Sequence, residues 1–272
     1  MAHTDRVHVF RRLHESGCFV MPNPWDAGSA RLLAQLGFPA LATTSAGLAW
    51  SLGRSDNRIE LAQALAHFRA MAAAVEVPIN ADFEGGFAVD PDGVARNVAA
   101  ASATGIAGLS IEDSTKDTAN PLYELGLAVS RIAAARRAID ASGTGIVLTG
   151  RSEGFVAGRA DLAETIRRLK AYGDAGADCL YAPGLGSLAD VEAVVRAVAP
   201  KPVNALVGAN LATVAQLTAI GVRRISVGGA LARTAWAGFI EAAKEIAEHG
   251  TFAGLARAVP SPVLNGAFAS VP

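Results

Sequence analysis

Short apolar runs recur along the chain at an average spacing of about thirty residues, the interval expected of successive strand–helix units. They are CFVM (18–21), PALATTS (39–45), VPINAD (77–82), GLSIED (108–113), GIVLTGR (145–151), DCLYAP (178–183), PVNAL (202–206) and RISVGG (224–229). Most are apolar at consecutive positions, which is the pattern of parallel strands covered on both faces. Between them lie Ala/Leu/Arg-rich segments with helical spacing, such as LAETIRRLKAYGDAGA (162–177) and LADVEAVVRAVA (188–199). Gly37, Gly105, Gly176 and Gly221 stand where helices would end before the next strand.

Eight such units in 272 residues predict an α/β fold of the (β/α)8 TIM-barrel type, formed as a single domain over residues 1–272. The tail, AWAGFIEAAKEIAEHG (235–250) and then PSPVLNGAF, is long enough for the last barrel helix plus an additional C-terminal helical segment. A doubly wound open sheet is the alternative. No G-x-G-x-x-G follows the first strand, so its dinucleotide-binding version has little support.

Composition narrows the function classes. The chain is 51% hydrophobic and 18% charged, so a substantial core can form. A formal net charge of −1 without a basic cluster argues against nucleic acid or an anionic membrane as partner. No apolar run approaches the roughly 18 residues of a membrane span. The segment MAHTDRVHVFRRLHESG is too charged for a secretory signal. Cys18 and Cys179 lie far apart in apolar runs, as core residues of a protein in a reducing cytoplasm would.

In a barrel of this kind the chemistry gathers where strands end. Strand 2 leads into Thr43, Thr44, Ser45, Ala46 and Gly47, with Asp56 further on. Strand 3 ends in Asp82 and Glu84, strand 4 in Glu112 and Asp113, strand 5 in Arg151 with Glu153 behind it, and strand 7 in Asn204. Carboxylates converging at one mouth repel and raise one another's pKa unless a cation sits between them. Asp82, Glu84 and Glu112 offer only oxygen donors, which suit Mg2+, or Mn2+ in its place, better than Zn2+. Caps and turns are the ordinary duties of single acids in such places. Arg151 is always charged and can clamp a substrate carboxylate or enolate oxygen, or else pair with Glu153 or Glu112. The small residues of TTSAGL (43–48) can turn backbone amides toward an anion, or serve tight packing. His3, His8, His14, His67 and His249 all fall in segments read as helical or terminal, so no histidine general base is expected.

The segments PNPWDAGSARLLAQLGFPALATTSAGLAWSLGRSDN, INADFEGGF, GLSIEDS and GRSEGFVAG, in this order and spacing, resemble the isocitrate lyase/phosphoenolpyruvate mutase superfamily over residues 18 to 240. The resemblance implies a Mg2+-dependent barrel that makes or breaks a C–C or P–C bond beside a 2-oxo acid carboxylate, through an enolate. It also implies a dimer or tetramer in which the C-terminal segment, about 235–272, is exchanged between subunits. Carried over by position, Asp82 would ligate the metal directly, Glu84 and Glu112 would hold metal-bound water, and Asp56 would lie nearby. Arg151 and the backbone of Ser45, Ala46 and Gly47 would hold the substrate carboxylate. Asn120, in the loop after strand 4, would meet the transferring group.

The chain also departs from the pattern. The lyases carry Lys-[Lys/Arg]-Cys-Gly-His in that loop, whereas IEDSTKDTANPLYEL has neither Cys nor His. Mutase-like members place a Lys two residues before the Asn, where Thr118 stands here, with Lys116 two residues earlier. They also carry a His after strand 6, where this chain has Ala182 and Pro183. The expectation is therefore an enolate-stabilising enzyme acting on a small 2-oxo or 2-hydroxy carboxylate, with Lys116, Asp117 and Asn120 on a lid over residues 111–125. Asn204 is the further candidate for substrate binding. An oxaloacetate-type hydrolase or decarboxylase, and a non-catalytic carboxylate-binding barrel, are the alternatives.

Overall fold

The structure is a computed structural model that describes residues 2–209 and 211–269. The eight apolar runs form eight parallel strands: β1 (Phe19–Val20), β2 (Leu41–Ala42), β3 (Ile79–Asp82), β4 (Gly108–Glu112), β5 (Val147–Arg151), β6 (Cys179–Tyr181), β7 (Val203–Leu206) and β8 (Arg224–Ser226). Neighbours pair in the order β1-β8-β7-β6-β5-β4-β3-β2. The seam between β1 and β2 is closed by the Ala42 N–H donating to the Pro22 carbonyl at 3.1 Å. Asn23 adds a staple there: its Nδ2 donates to Thr43 O at 3.0 Å while its Oδ1 accepts from the Val227 and Gly228 amides. One buried side chain thus ties the ends of β1, β2 and β8, where the two short strands offer few ladder bonds of their own.

Helices cover the outside: α1 (His3–Leu13), α2 (Ala27–Gln35), α3 (Ser45–Ser51), α4 (Leu61–Ala74), α5 (Pro91–Ser102), α6 (Leu125–Ser142), α7 (Leu162–Asp174), α8 (Leu188–Val198), α9 (Val214–Ala219), α10 (Ala230–His249) and α11 (Ser261–Ala269). Several starts are capped by side chains: Asp26, Asp90, Asp161, Ser187 and Thr213 each accept from an amide of the first turn. Gly37, Gly105, Gly176 and Gly221 all take positive φ, between 87° and 106°, at the helix ends assigned to them from sequence.

α1 closes the lower end of the barrel. Its Phe10 is fully buried and presses on Gly108, where a Cβ would stand 2.7 Å from the ring, so any larger residue at 108 would displace the plug. The rest of the core is mostly aliphatic, with Ile79, Leu109, Ile111, Leu148 and Leu180 fully buried, and includes the buried rings of Phe68, Phe83 and Tyr172. α10 and α11 depart from this pattern. Ala232 is the only buried residue of α10, and Trp236, Phe239, Ile240 and Ile246 remain exposed. α11 lies against α2, where the Gln35 amide donates to Ala267 O. Among the described residues no helix is long and apolar enough to cross a membrane.

Candidate active site at the barrel mouth

Strand register brings the predicted acids together. Asp82 of β3 lies level with Ser110 of β4, and Glu112 of β4 lies level with Arg151 of β5. Alternation along each strand turns Asp82, Glu112 and Arg151 toward the barrel axis. Asp113, the next residue, faces the helical layer instead. It is buried and accepts from Arg168 Nη1 at 3.2 Å, Tyr172 Oη at 2.5 Å and the Glu153 amide at 2.7 Å. Asp113 therefore anchors the loop that carries Glu153. From α6, the buried Arg131 donates to the carbonyls of Glu112, Gly85 and Ala88 and so pins the loops after β3 and β4 beside the acids.

At the centre, Asp82 Oδ2 accepts from the Ser45 amide at 2.9 Å and the Ser45 hydroxyl at 2.8 Å, and Oδ1 accepts from Arg151 Nη1 at 3.3 Å. The same Nη1 is 3.4 Å from Glu112 Oε2, and Arg151 Nε donates to Glu153. Arg151 also lies over the Tyr181 ring, 5.2 Å from its centroid. The ion pairs that the sequence offered as an alternative role for Arg151 are thus made, and the guanidinium still lines the central cavity. Glu84 turns the other way along the loop, with φ of 48°, and accepts from Lys116 Nζ. Lys116 itself has φ of 64°. Two non-glycine residues in the left-handed region, joined by an ion pair, mark strain at the site.

Four carboxylates, Asp82, Glu84, Glu112 and Glu153, thus share two cations. Burial raises the Glu112 pKa to about 8; Arg151 opposes this and Glu153, Asp82 and Glu84 reinforce it. Burial also raises Glu84 against the pull of Lys116, with Asp82 and Asp56 adding to the rise. Glu153 is raised by burial despite Arg151. For Arg151 the desolvation that would lower its pKa is outweighed by Glu153, Glu112 and Asp82, so it stays protonated.

The fit to a divalent ion is chemical rather than a finished cage. Among the described residues no three His, Cys, Asp or Glu side chains form a ready set of ligands. Mg2+ needs no such set, because it keeps several waters and takes one or two carboxylates directly. Glu84 Oε1 is buried without a hydrogen-bond partner, an acceptor left open beside an excess of negative charge. The donor set is oxygen throughout.

The other predicted residues distribute unevenly. Ser45, Ala46, Asp56 and Asn204 line the same central cavity, of about 200 Å³, with Asp82 and Arg151. Gly47 does not line it. Its amide donates to Thr44 Oγ1 at 3.3 Å, and a Cβ there would stand 2.8 Å from Trp25 Cβ, so the glycine permits close packing of α3. Asn120 lies on a separate surface depression with Val89, Thr115 and Arg159, its Nδ2 3.4 Å from Asp117 Oδ2. Tyr181, Asn80, Ser110, Ser226 and Arg224 line the cavity and were not singled out from sequence. Their signal was period-two alternation: Asn80 precedes Asp82 by two, Ser110 precedes Glu112 by two, and Arg224 precedes Ser226 by two.

A parallel eight-stranded barrel whose mouth holds acids from adjacent strands, braced by an arginine, defines a class: an α/β barrel with an oxygen-rich polar cavity at its strand ends. The comparisons place it more narrowly. The sequence profile of the phosphoenolpyruvate phosphomutase family matches residues 10–247, and the chain belongs to that family, within the isocitrate lyase/phosphoenolpyruvate mutase superfamily. A Burkholderia cenocepacia protein of provisional lyase/mutase assignment has a structure similar over 98% of both chains, at 46% identity and TM-score 0.96. An oxaloacetate decarboxylase of Bradyrhizobium diazoefficiens is 32% identical over 72% of this chain and 69% of its own. A phosphonopyruvate hydrolase, solved with oxalate and Mg2+, matches 98% of this chain and 95% of its own at 26% identity and TM-score 0.84.

Proposed function

We propose that the protein is a Mg2+-dependent enzyme that makes or breaks a C–C or P–C bond of a small 2-oxo or 2-hydroxy carboxylate by stabilising an enolate. The observation that carries this reading is Asp82, held by Ser45 and Arg151 at the mouth of a small polar cavity beside Glu112 and the open acceptor of Glu84. Asp82 would be the direct ligand, with Glu84, Glu112 and Asp56 holding water around the ion; Mn2+ would substitute. The bound ion supplies a Lewis acid for the substrate oxygen on which negative charge develops. Arg151 orients the substrate carboxylate and shares that charge, a use of fixed dipoles and cations that costs no reorganisation during reaction. Ser45 and Ala46, at the start of α3, close the opposite side. Lys116, drawn to Glu84, can exchange that partner for a ligand oxygen when the loop over residues 111–125 closes, bringing Asn120 inward.

A second reading is favoured by two specific facts. The loop lacks the lyase Cys and His, and a relative at 32% identity is an oxaloacetate decarboxylase. Decarboxylation or hydrolysis of an oxaloacetate-type substrate would use the same enolate without a thiol acid. Turnover of oxaloacetate, phosphonopyruvate and 2-methylisocitrate, with and without Mg2+, separates these reactions. Mg2+-dependent turnover of one of the three is expected, and Mg2+-independent turnover would overturn the metal role. The exposed apolar face of α10 and an α11 without a buried residue support assembly through exchange of the segment 235–272, whose last three residues lie outside the described part.

A further inference from the structure

Beneath the acids, the barrel interior is polar where a layer of bulky branched residues is usual. One inward-facing position lower on the same strands as Asp82, Glu112 and Arg151 stand Asn80, Ser110 and Thr149, reached from β7 and β8 by Asn204 and Arg224. Arg224 is 1% exposed. Its Nε donates to Asn204 Oδ1 at 2.9 Å, Nη2 to Thr149 Oγ1 at 3.0 Å and Nη1 to His14 Nε2 at 3.3 Å. His14 reaches up from the end of α1 and donates from Nδ1 to the Phe10 carbonyl at 2.8 Å, so its Nε2 is the acceptor. Burial and the two neighbouring arginines, 224 and 11, lower the His14 pKa to about 3, against the Phe10 hydrogen bond, so it stays neutral.

All three acceptors of Arg224 are therefore uncharged. A guanidinium has five N–H groups, and three have partners. A buried cation with no carboxylate is costly to hold unless an anion visits it. Two further groups in this layer are under-committed. Asn80, 4% exposed, has its Oδ1 without a partner, while its Nδ2 makes only a 3.4 Å contact to Ala81 O. Turning that amide over would present a donor to the chamber. The Ser110 hydroxyl makes only a 3.5 Å contact to Ala81 O. One cavity of about 200 Å³ joins these residues to Asp82, Arg151 and Ser45. It has room for roughly six or seven waters, enough for a short dicarboxylate spanning both layers.

We propose that this chamber reads a second anionic group of the substrate, with Arg224 as the specificity-determining residue for the distal carboxylate of a short 2-oxo or 2-hydroxy dicarboxylate. The assignment rests on the function proposed above, in which the 2-oxo acid end lies against Arg151. Asn204, held by Arg224 on one side and by the Ser226 hydroxyl at 2.9 Å on the other, fixes the wall of the chamber.

The test uses ligands matched at one end. Lactate and malate share the 2-hydroxy acid and differ by one carboxylate, and oxalate fills only the upper end. Calorimetric titration in Mg2+ is expected to show malate binding about 10- to 100-fold tighter than lactate, the range of a charge-assisted hydrogen-bonded pair. Arg224→Met should bring the two within about threefold while oxalate affinity holds, and Arg224→Lys should keep part of the preference. Circular dichroism confirms folding of each variant, and oxalate binding reports an intact upper site. Equal loss of all three ligands in Arg224→Met, with Arg224→Lys restoring none of the preference, would make Arg224 structural and overturn the assignment. So would oxalate binding in the wild type without a malate preference. Failure of oxalate to bind in Mg2+ would instead overturn the parent reading, and this one with it.

Discussion

Removing the Asp82 carboxylate separates a metal centre from an ordinary ion-pair cluster, because the two predict opposite responses to Mg2+. Asp82→Ala deletes the acceptor of three donors, Ser45 N, Ser45 Oγ and Arg151 Nη1. It also removes one of the charges that push Glu112 and Glu84 upward. Lost hydrogen bonds and relieved repulsion oppose each other, so the metal-free variant should fall only about 1–3 kcal/mol below wild type. The decisive quantity is the increment on adding Mg2+. A ligand at a hundred times its Kd stabilises by about 2.7 kcal/mol. With an unfolding entropy of about 2.1 cal/mol/K per residue over 272 residues, that is a rise in Tm of about 5 °C. Thermal unfolding of wild type across a Mg2+ series should approach this rise, and Asp82→Ala should show none. The opposite pattern, a wild type indifferent to Mg2+ or a variant that keeps the full increment, would refute the centre. In the first case the acids are a structural network around Arg151; in the second the ion sits elsewhere.

Two further outcomes follow from groups remote from the acids. His14 is held neutral, its pKa lowered to about 3 by burial first and by Arg224, while an unfolded chain takes up this proton near 6.5. Its contribution is fully present above about pH 6.5 and is lost at about 1.4 kcal/mol per pH unit as pH falls toward 3; urea unfolding between pH 7 and 5 should give a slope shallower by one proton in His14→Gln, and an unchanged slope would contradict the buried neutral histidine. Phe239 is 62% exposed on α10 beside Trp236, 5.6 Å between ring centroids, so an oligomer that covers this face should dissociate in Phe239→Glu, measured by light scattering after gel filtration. A monomeric wild type would remove the exchange proposal.

The mouth of the site was readable in the sequence because strand ends announce themselves. Asp82, Glu112 and Arg151 each close a β-prone apolar run, and in a parallel barrel every such end faces the same opening. Glu84 was equally visible, but its pairing with Lys116 was not, since that contact joins a loop after β3 to a loop after β4 through two strained backbones. Gly47 read as a candidate amide donor to substrate, whereas packing against Trp25 explains why a glycine stands there. Asp113 read as one more acid at the mouth, and the pleat sends it outward to Arg168 and Tyr172.

Local order, then, belongs to the sequence: which segments are strands, which are helices, where glycines end them, and that oxygen donors cluster at one end. Those features depend on spacing along the chain, and spacing is written in the residues. Closure of the ring is another matter. Which side chains occupy the layer below the acids, that Asn23 joins three strands, and that a histidine from α1 meets Arg224 from β8 all depend on contacts between residues 20 to 210 positions apart. No local pattern encodes such pairs, because the barrel brings them together only when β1 and β8 become neighbours and α1 folds beneath them.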